Sequence, residues 1–215
     1  MGYKNFREVY HKLAIVIDNG YCYHSFCMTE KLDLPMEVNS ALVYGYIGKM
    51  CGFSYKVLAL TYYEDGDYTV VWSNDEIGLT VRGECFKPFD FMPVENKALY
   101  KRYASIIEST NEAYSNDDDE EPRSYTILDP FRHEDYPDDV LVLIANHQYR
   151  KQEKIWATLV KYNGMDCGTH VFIAKLLDEP FDDIYGMHRN DEILVGYVNL
   201  KEEGQFLVGL PIITR

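Results

Sequence analysis

The sequence predicts an α+β protein, an N-terminal α/β portion followed by a small antiparallel β-barrel-like domain. Three observations predict it. Leu99, Tyr103, Ile106, Thr110 and Ala113 lie along one helical stripe within residues 95–114, with charged residues opposite. Residues 139–213 hold five short strand-like runs separated by turn residues. Between these regions, residues 115–121 contain no apolar side chain and end at Pro122, which reads as an acidic linker. The implied division is 1–114, a linker at 115–123, and 124–215.

In chain order, Phe6, Val9, Tyr10, Leu13 and Ile17 have helical spacing, and Asn19-Gly20 supplies a stop. Residues 21–28 alternate rings and small groups, as a strand does. Pro35 can open a helix whose face carries Leu42, Val43, Tyr46, Ile47 and Met50, although Gly45 and Gly48 weaken it. Residues 54–63 and 68–73 flank Glu64-Asp65-Gly66-Asp67, a hairpin signal. Residues 77–84 follow as a third strand. After the helix at 95–114, strands are expected near 139–145, 153–162, 168–177, 191–199 and 205–213. Asn163-Gly164 and Asp178-Glu179-Pro180 mark two of the turns.

The composition, 47% hydrophobic and 26% charged over 215 residues, is that of a globular chain. No run approaches the ~18 apolar residues that cross a bilayer, and the N-terminus carries no secretory h-region. Five cysteines at irregular spacing do not make a disulfide framework, so reduced thiols and a cytoplasmic protein are expected. The 19 tyrosines suit strands and amphipathic surfaces, and they also make good interface anchors. The net charge is −14, and residues 108–139 carry twelve acids against Arg123 and Arg132, so −10 of it sits in that segment. A phosphate-backbone binder needs the opposite sign, which argues against nucleic acid. An acidic surface steers basic partners, so Asp117, Asp118, Asp119, Glu120 and Glu121 are candidate contacts for a basic protein.

No catalytic motif is present: there is neither a Gly-x-Ser-x-Gly elbow nor a phosphate-cradling glycine loop. Cys22, His24 and Cys27, with Cys51 as a fourth ligand, have the atom types of a zinc site, but a strand at 21–28 would split them between two faces. No metal or cofactor is therefore expected. Trp156 shares a predicted strand face with Thr158, Val160 and Tyr162, and His170 shares one with Phe172, Ala174 and Leu176. Trp156 and His170 could line a ligand pocket or fill a barrel core.

A series of marks in the last third has a familiar form. Pro137-Asp138-Asp139 precedes an apolar strand, then come Glu153-x-x-Trp156, Leu176-Leu177-Asp178-Glu179-Pro180-Phe181, and His188-Arg189-Asn190-Asp191-Glu192-Ile193. Residues 129–200 thereby resemble a bacterial β-rich domain family of unknown function, related to modules that accompany immunity proteins of toxin systems. Asp178 stands where that family has Asn, and Asn190-Asp191 where it has Gly-Asp. The resemblance implies a non-enzymatic, immunity-like binding protein and brings no catalytic residues. The alternatives are an enzyme with a small-molecule pocket near Trp156 and His170, and a phage or host-defence accessory mimicking DNA charge.

Overall fold

The structure, a computed structural model, describes residues 6–17, 38–49, 51–73, 79–86, 89–200 and 204–212. Strands take 53% of it and helices 23%, so the chain is mostly β and the α+β expectation is corrected. It divides into two compact units, Met1–Ser115 and Asn116–Arg215.

The first unit is not an α/β portion but an antiparallel sheet. Its strands are β1 (Leu13–Ile17), β2 (Ser40–Gly48), β3 (Gly52–Glu64), β4 (Asp67–Ser73), β5 (Thr80–Arg82) and β6 (Asp90–Val94), in the order β4-β3-β2-β1-β6 with β5 also pairing β3. Two predicted helices are strands here. Leu13–Ile17 is five apolar residues in a row, and such a run is satisfied by a central strand covered on both faces. Leu13 and Ile15 face one apolar cluster, Ala14 and Val16 another. β2 is buried along its whole length. Gly45 is required there because a Cβ would lie 2.3 Å from the Val9 carbonyl oxygen, where the chain before β1 crosses β2.

A single turn, α1 (Gly83–Phe86), follows β5. The helix expected over 95–114 is two, α2 (Lys97–Arg102) and α3 (Ala104–Tyr114), broken at the buried Tyr103. Asn96 caps α2 by accepting from the Ala98 and Leu99 N–H groups. Leu99, Ile106 and Ile107 pack onto the Leu13–Ile15 face. The strand expected at 21–28 lies outside the described residues.

The second unit opens with α4 (Asp117–Ser124), where a linker was expected, and a 3-10 turn at Thr126–Phe131. Five strands follow: β7 (Asp139–Asn146), β8 (Lys151–Asp166), β9 (Thr169–Leu176), β10 (Glu192–Leu200) and β11 (Gly204–Pro211). They close on themselves in the order β10-β11-β7-β8-β9. The closing pair, β11 with β7, is parallel, so the closed sheet is not wholly antiparallel as expected. Val140, Val142, Ile144, Ile155, Ala157, Leu159, Phe172 and Ala174 alternate along their strands into one core.

Candidate functional site

The acidic segment is folded by three local devices. Asn116 caps α4, its Oδ1 accepting from the Asp119 N–H at 3.0 Å while its Nδ2 donates to Asp119 Oδ2 at 2.6 Å. Asp117, Asp118 and Asp119 occupy the first turn, where the unpaired N–H groups and the helix dipole favour negative charge. Arg123 then locks the last turn. Its side chain is 1% exposed, and it donates a fork to Asp138, Nε to Oδ1 at 2.9 Å and Nη2 to Oδ2 at 2.6 Å. Its Nη1 donates to Glu120 Oε1 at 2.9 Å.

The second arginine of the segment does similar work. Arg132, 3% exposed, donates to the carbonyl oxygens of Pro122 and Pro137 and to Asp129. The two arginines that seemed too few to balance twelve acids are thus both buried, and they tie α4, the 3-10 turn and the start of β7 together. α4 packs on β8. Of the five predicted acids, Asp119 is buried and Glu120 half-buried, while Asp117, Asp118 and Glu121 face solvent.

Trp156 and His170 are not brought together. Ile155, Ala157 and Leu159 fill the core, so Trp156 stands on the outer face, half-buried under the His133 ring at 5.2 Å. The pairing of β8 with β9 shifts register between Leu159 and Lys161. That bulge moves Tyr162 out of phase with Trp156 and onto the inner side, opposite Phe172. There the Tyr162 hydroxyl meets His170 Nδ1 at 3.1 Å, and Tyr125 lies 4.9 Å from Tyr162, 4.8 Å from His170 and 5.2 Å from Phe172. Burial, with Tyr162 beside it, pushes the Tyr125 hydroxyl up to about 12. Rings at these separations pack against one another and leave no room for a ligand between them.

The marks that carried the resemblance form a loop clamp. Between β9 and β10, Glu179 Oε1 meets His188 Nδ1 at 2.7 Å and Oε2 accepts from the Arg189 N–H at 2.8 Å. Asp191 accepts from the His188 N–H, and the Trp156 carbonyl accepts from the Leu177 N–H. Glu153 on β8 accepts from the Phe181 N–H at 3.1 Å. Asn190 adopts φ 73°, a left-handed position that asparagine tolerates. Phe181 itself is 96% exposed. The sequence reading passed over it, although an aromatic between Glu179-Pro180 and Asp182-Asp183 was the available signal.

Among the described residues no group of His, Cys, Asp and Glu could hold a metal ion. Cys22, His24 and Cys27 lie outside those residues, and Cys51 is an exposed free thiol. No described helix is long and apolar enough to cross a membrane. No protein-family model, no curated protein and no solved structure matches the chain.

Proposed function

We propose that this chain is a non-enzymatic protein-binding module whose second unit presents a fixed acidic helix to a basic partner. The observation that carries the reading is the anchoring of α4. Asp117, Asp118 and Glu121 are held facing water by a helix whose own Arg123 is buried in a carboxylate fork. A charged face that is already ordered loses little conformational entropy on binding, and its field steers an oppositely charged protein. The immunity-like form of this reading rests on the resemblance over residues 129–200 alone. A cytoplasmic setting is supported by the free, exposed thiols Cys51, Cys85 and Cys167. Trp156 and His170 lie on opposite faces of β8 and β9, so an enzyme reading would need a pocket other than the one they were expected to share.

The test is recovery of a partner from the native host. Tagged protein should retain a basic protein at about 50 mM salt and release it at about 300 mM, where exposed charges are screened within several ångströms. The variant Asp117→Asn/Asp118→Asn/Glu121→Gln should retain little of it. Equal recovery by the variant, or a partner indifferent to salt, rejects the acidic helix as the contact.

A further inference from the structure

We infer that Phe181 is the anchor of the partner interface, inserting into an apolar pocket whose rim is basic. The inference rests on the binding reading above and adds a second contact to it. A single exposed apolar side chain is ordinary on a protein surface, and a free loop can turn one inward. Here the loop cannot do so. Pro180 is buried on one side of Phe181, and on the other Asp182 caps the next turn through the Ile184 N–H and takes Lys151 Nζ at 2.7 Å. The Phe181 N–H is held by Glu153, and Glu179 is held by His188 and Arg189. Residues 179–182 are therefore each fixed by a neighbouring element, and the ring projects from a rigid mount.

A pre-ordered aromatic that is almost wholly exposed has the character of an interface hot spot before it is filled. The charges around it indicate its occupant. Four acids, Asp178, Glu179, Asp182 and Asp183, flank the ring. Lys151 engages Asp182 and His188 engages Glu179, which leaves the exposed carboxylates of Asp178 and Asp183 to set the sign of the rim. A second copy of this chain would bring the same acids against them, and like charges across an interface are unfavourable. An anionic lipid surface is opposed for the same reason. A protein with basic residues around an apolar pocket satisfies both the ring and its rim. Tyr149, 56% exposed, ends two residues before Lys151, whose ammonium binds Asp182, so a further aromatic lies on the adjoining hairpin turn.

The experiment places a photoreactive benzoyl-phenylalanine at position 181, and at the exposed Gln205 on β11 as a control, in the native host. One protein should crosslink from 181 and not from 205. That protein, identified and purified, is then titrated against wild type, Phe181→Ala, and the α4 variant Asp117→Asn/Asp118→Asn/Glu121→Gln. Phe181→Ala should weaken binding about tenfold or more with an unchanged melting temperature, since the ring supports nothing in the fold. Crosslinking only to a second copy or to lipid overturns the inference. So does a purified partner whose affinity ignores Phe181→Ala. If the α4 variant alone weakens binding, the acidic helix stands and the anchor falls. If Phe181→Ala alone weakens it, the anchor stands and the helix falls.

Discussion

Replacing Arg123 tests whether the acidic segment is part of the folded unit. Arg123→Met keeps the stem and removes the guanidinium. Asp138, with a side chain 15% exposed, then loses both arms of its fork and stays next to Asp139, while Glu120 loses its cation. Removing one partner of a buried pair costs about 3–5 kcal/mol, because the remaining charge stays desolvated and unpaired. The second unit is Asn116–Arg215. For a domain of that size each kcal/mol moves the melting temperature by about 4–8 °C, so the expected fall is roughly 12–40 °C.

Arg123→Lys should fall between wild type and Arg123→Met, since an ammonium keeps the charge but cannot fill a planar fork. Glu121→Gln, on the exposed side of the same helix, should change stability by no more than about 0.5 kcal/mol. The assay is urea unfolding in a Trp72→Phe background, where Trp156 alone reports and lies in the second unit. A linker would make Arg123→Met as silent as Glu121→Gln. A change below about 0.5 kcal/mol for Arg123→Met would refute the anchoring argument.

Three further outcomes follow from the geometry. Burial raises the Asp139 carboxyl above its ordinary value of 3.8, helped by Asp138 and opposed by the Thr158 hydrogen bond. Its ionisation therefore costs stability as pH rises through the folded value, so Asp139→Asn should stabilise the protein at pH 7 and lose that advantage below pH 3.8, measured by urea midpoints across pH. The Glu179 hydrogen bond holds His188 above 6.5, so this pair's histidine contribution is complete below that pH and fades as pH rises through the folded value; Glu179→Gln should bring the His188 NMR titration back down toward 6.5. Gly45→Ala should destabilise the first unit by roughly 1–3 kcal/mol or more, because the obstructing atom is the Val9 backbone and cannot swing away; thermal unfolding of the variant checks it.

The strands of the second unit were readable because apolar alternation and turn residues agreed. The first unit misled because two periodicities overlapped. Phe6, Val9, Tyr10, Leu13 and Ile17 fit a helix stripe, yet Leu13–Ile17 is also an unbroken apolar run, and burial on both faces of the sheet decided in favour of strand. In β2 the aromatic and β-branched residues favoured strand, and Gly45 marked a backbone crossing rather than a weak helix. The α4 helix was hidden by counting its acids as mutual repulsion alone. Asn116 before three aspartates is a cap followed by a first turn that accepts negative charge. Trp156 and His170 fall on opposite sides for a reason no composition reveals: an extra residue in β8 after Leu159 lets Tyr162 join His170 on the inner side while Trp156 stays on the outer one.

What remains uncompensated on α4 gives a last expectation about salt. Asp119 is engaged by Asn116 and Glu120 by Arg123, which leaves Asp117, Asp118 and Glu121 exposed on one short helix. Their repulsion acts through water and is screened over a few ångströms at about 0.5 M salt. The Arg123–Asp138 fork is buried and is screened far less. Raising sodium chloride from about 0.05 M to 0.5 M should therefore stabilise the second unit, since it weakens the unfavourable interactions more than the favourable one. Asp117 and Asp118 are also favoured by the first-turn N–H groups. The informative variant is therefore Glu121→Gln, which relieves repulsion without touching that interaction. It should be no less stable than wild type at low salt and should gain less from the addition. Trp156 fluorescence in the Trp72→Phe background reads both midpoints. If wild type instead loses stability with salt, exposed ion pairs rather than the buried arginine hold α4 in place, and the binding face proposed for it would not be rigid.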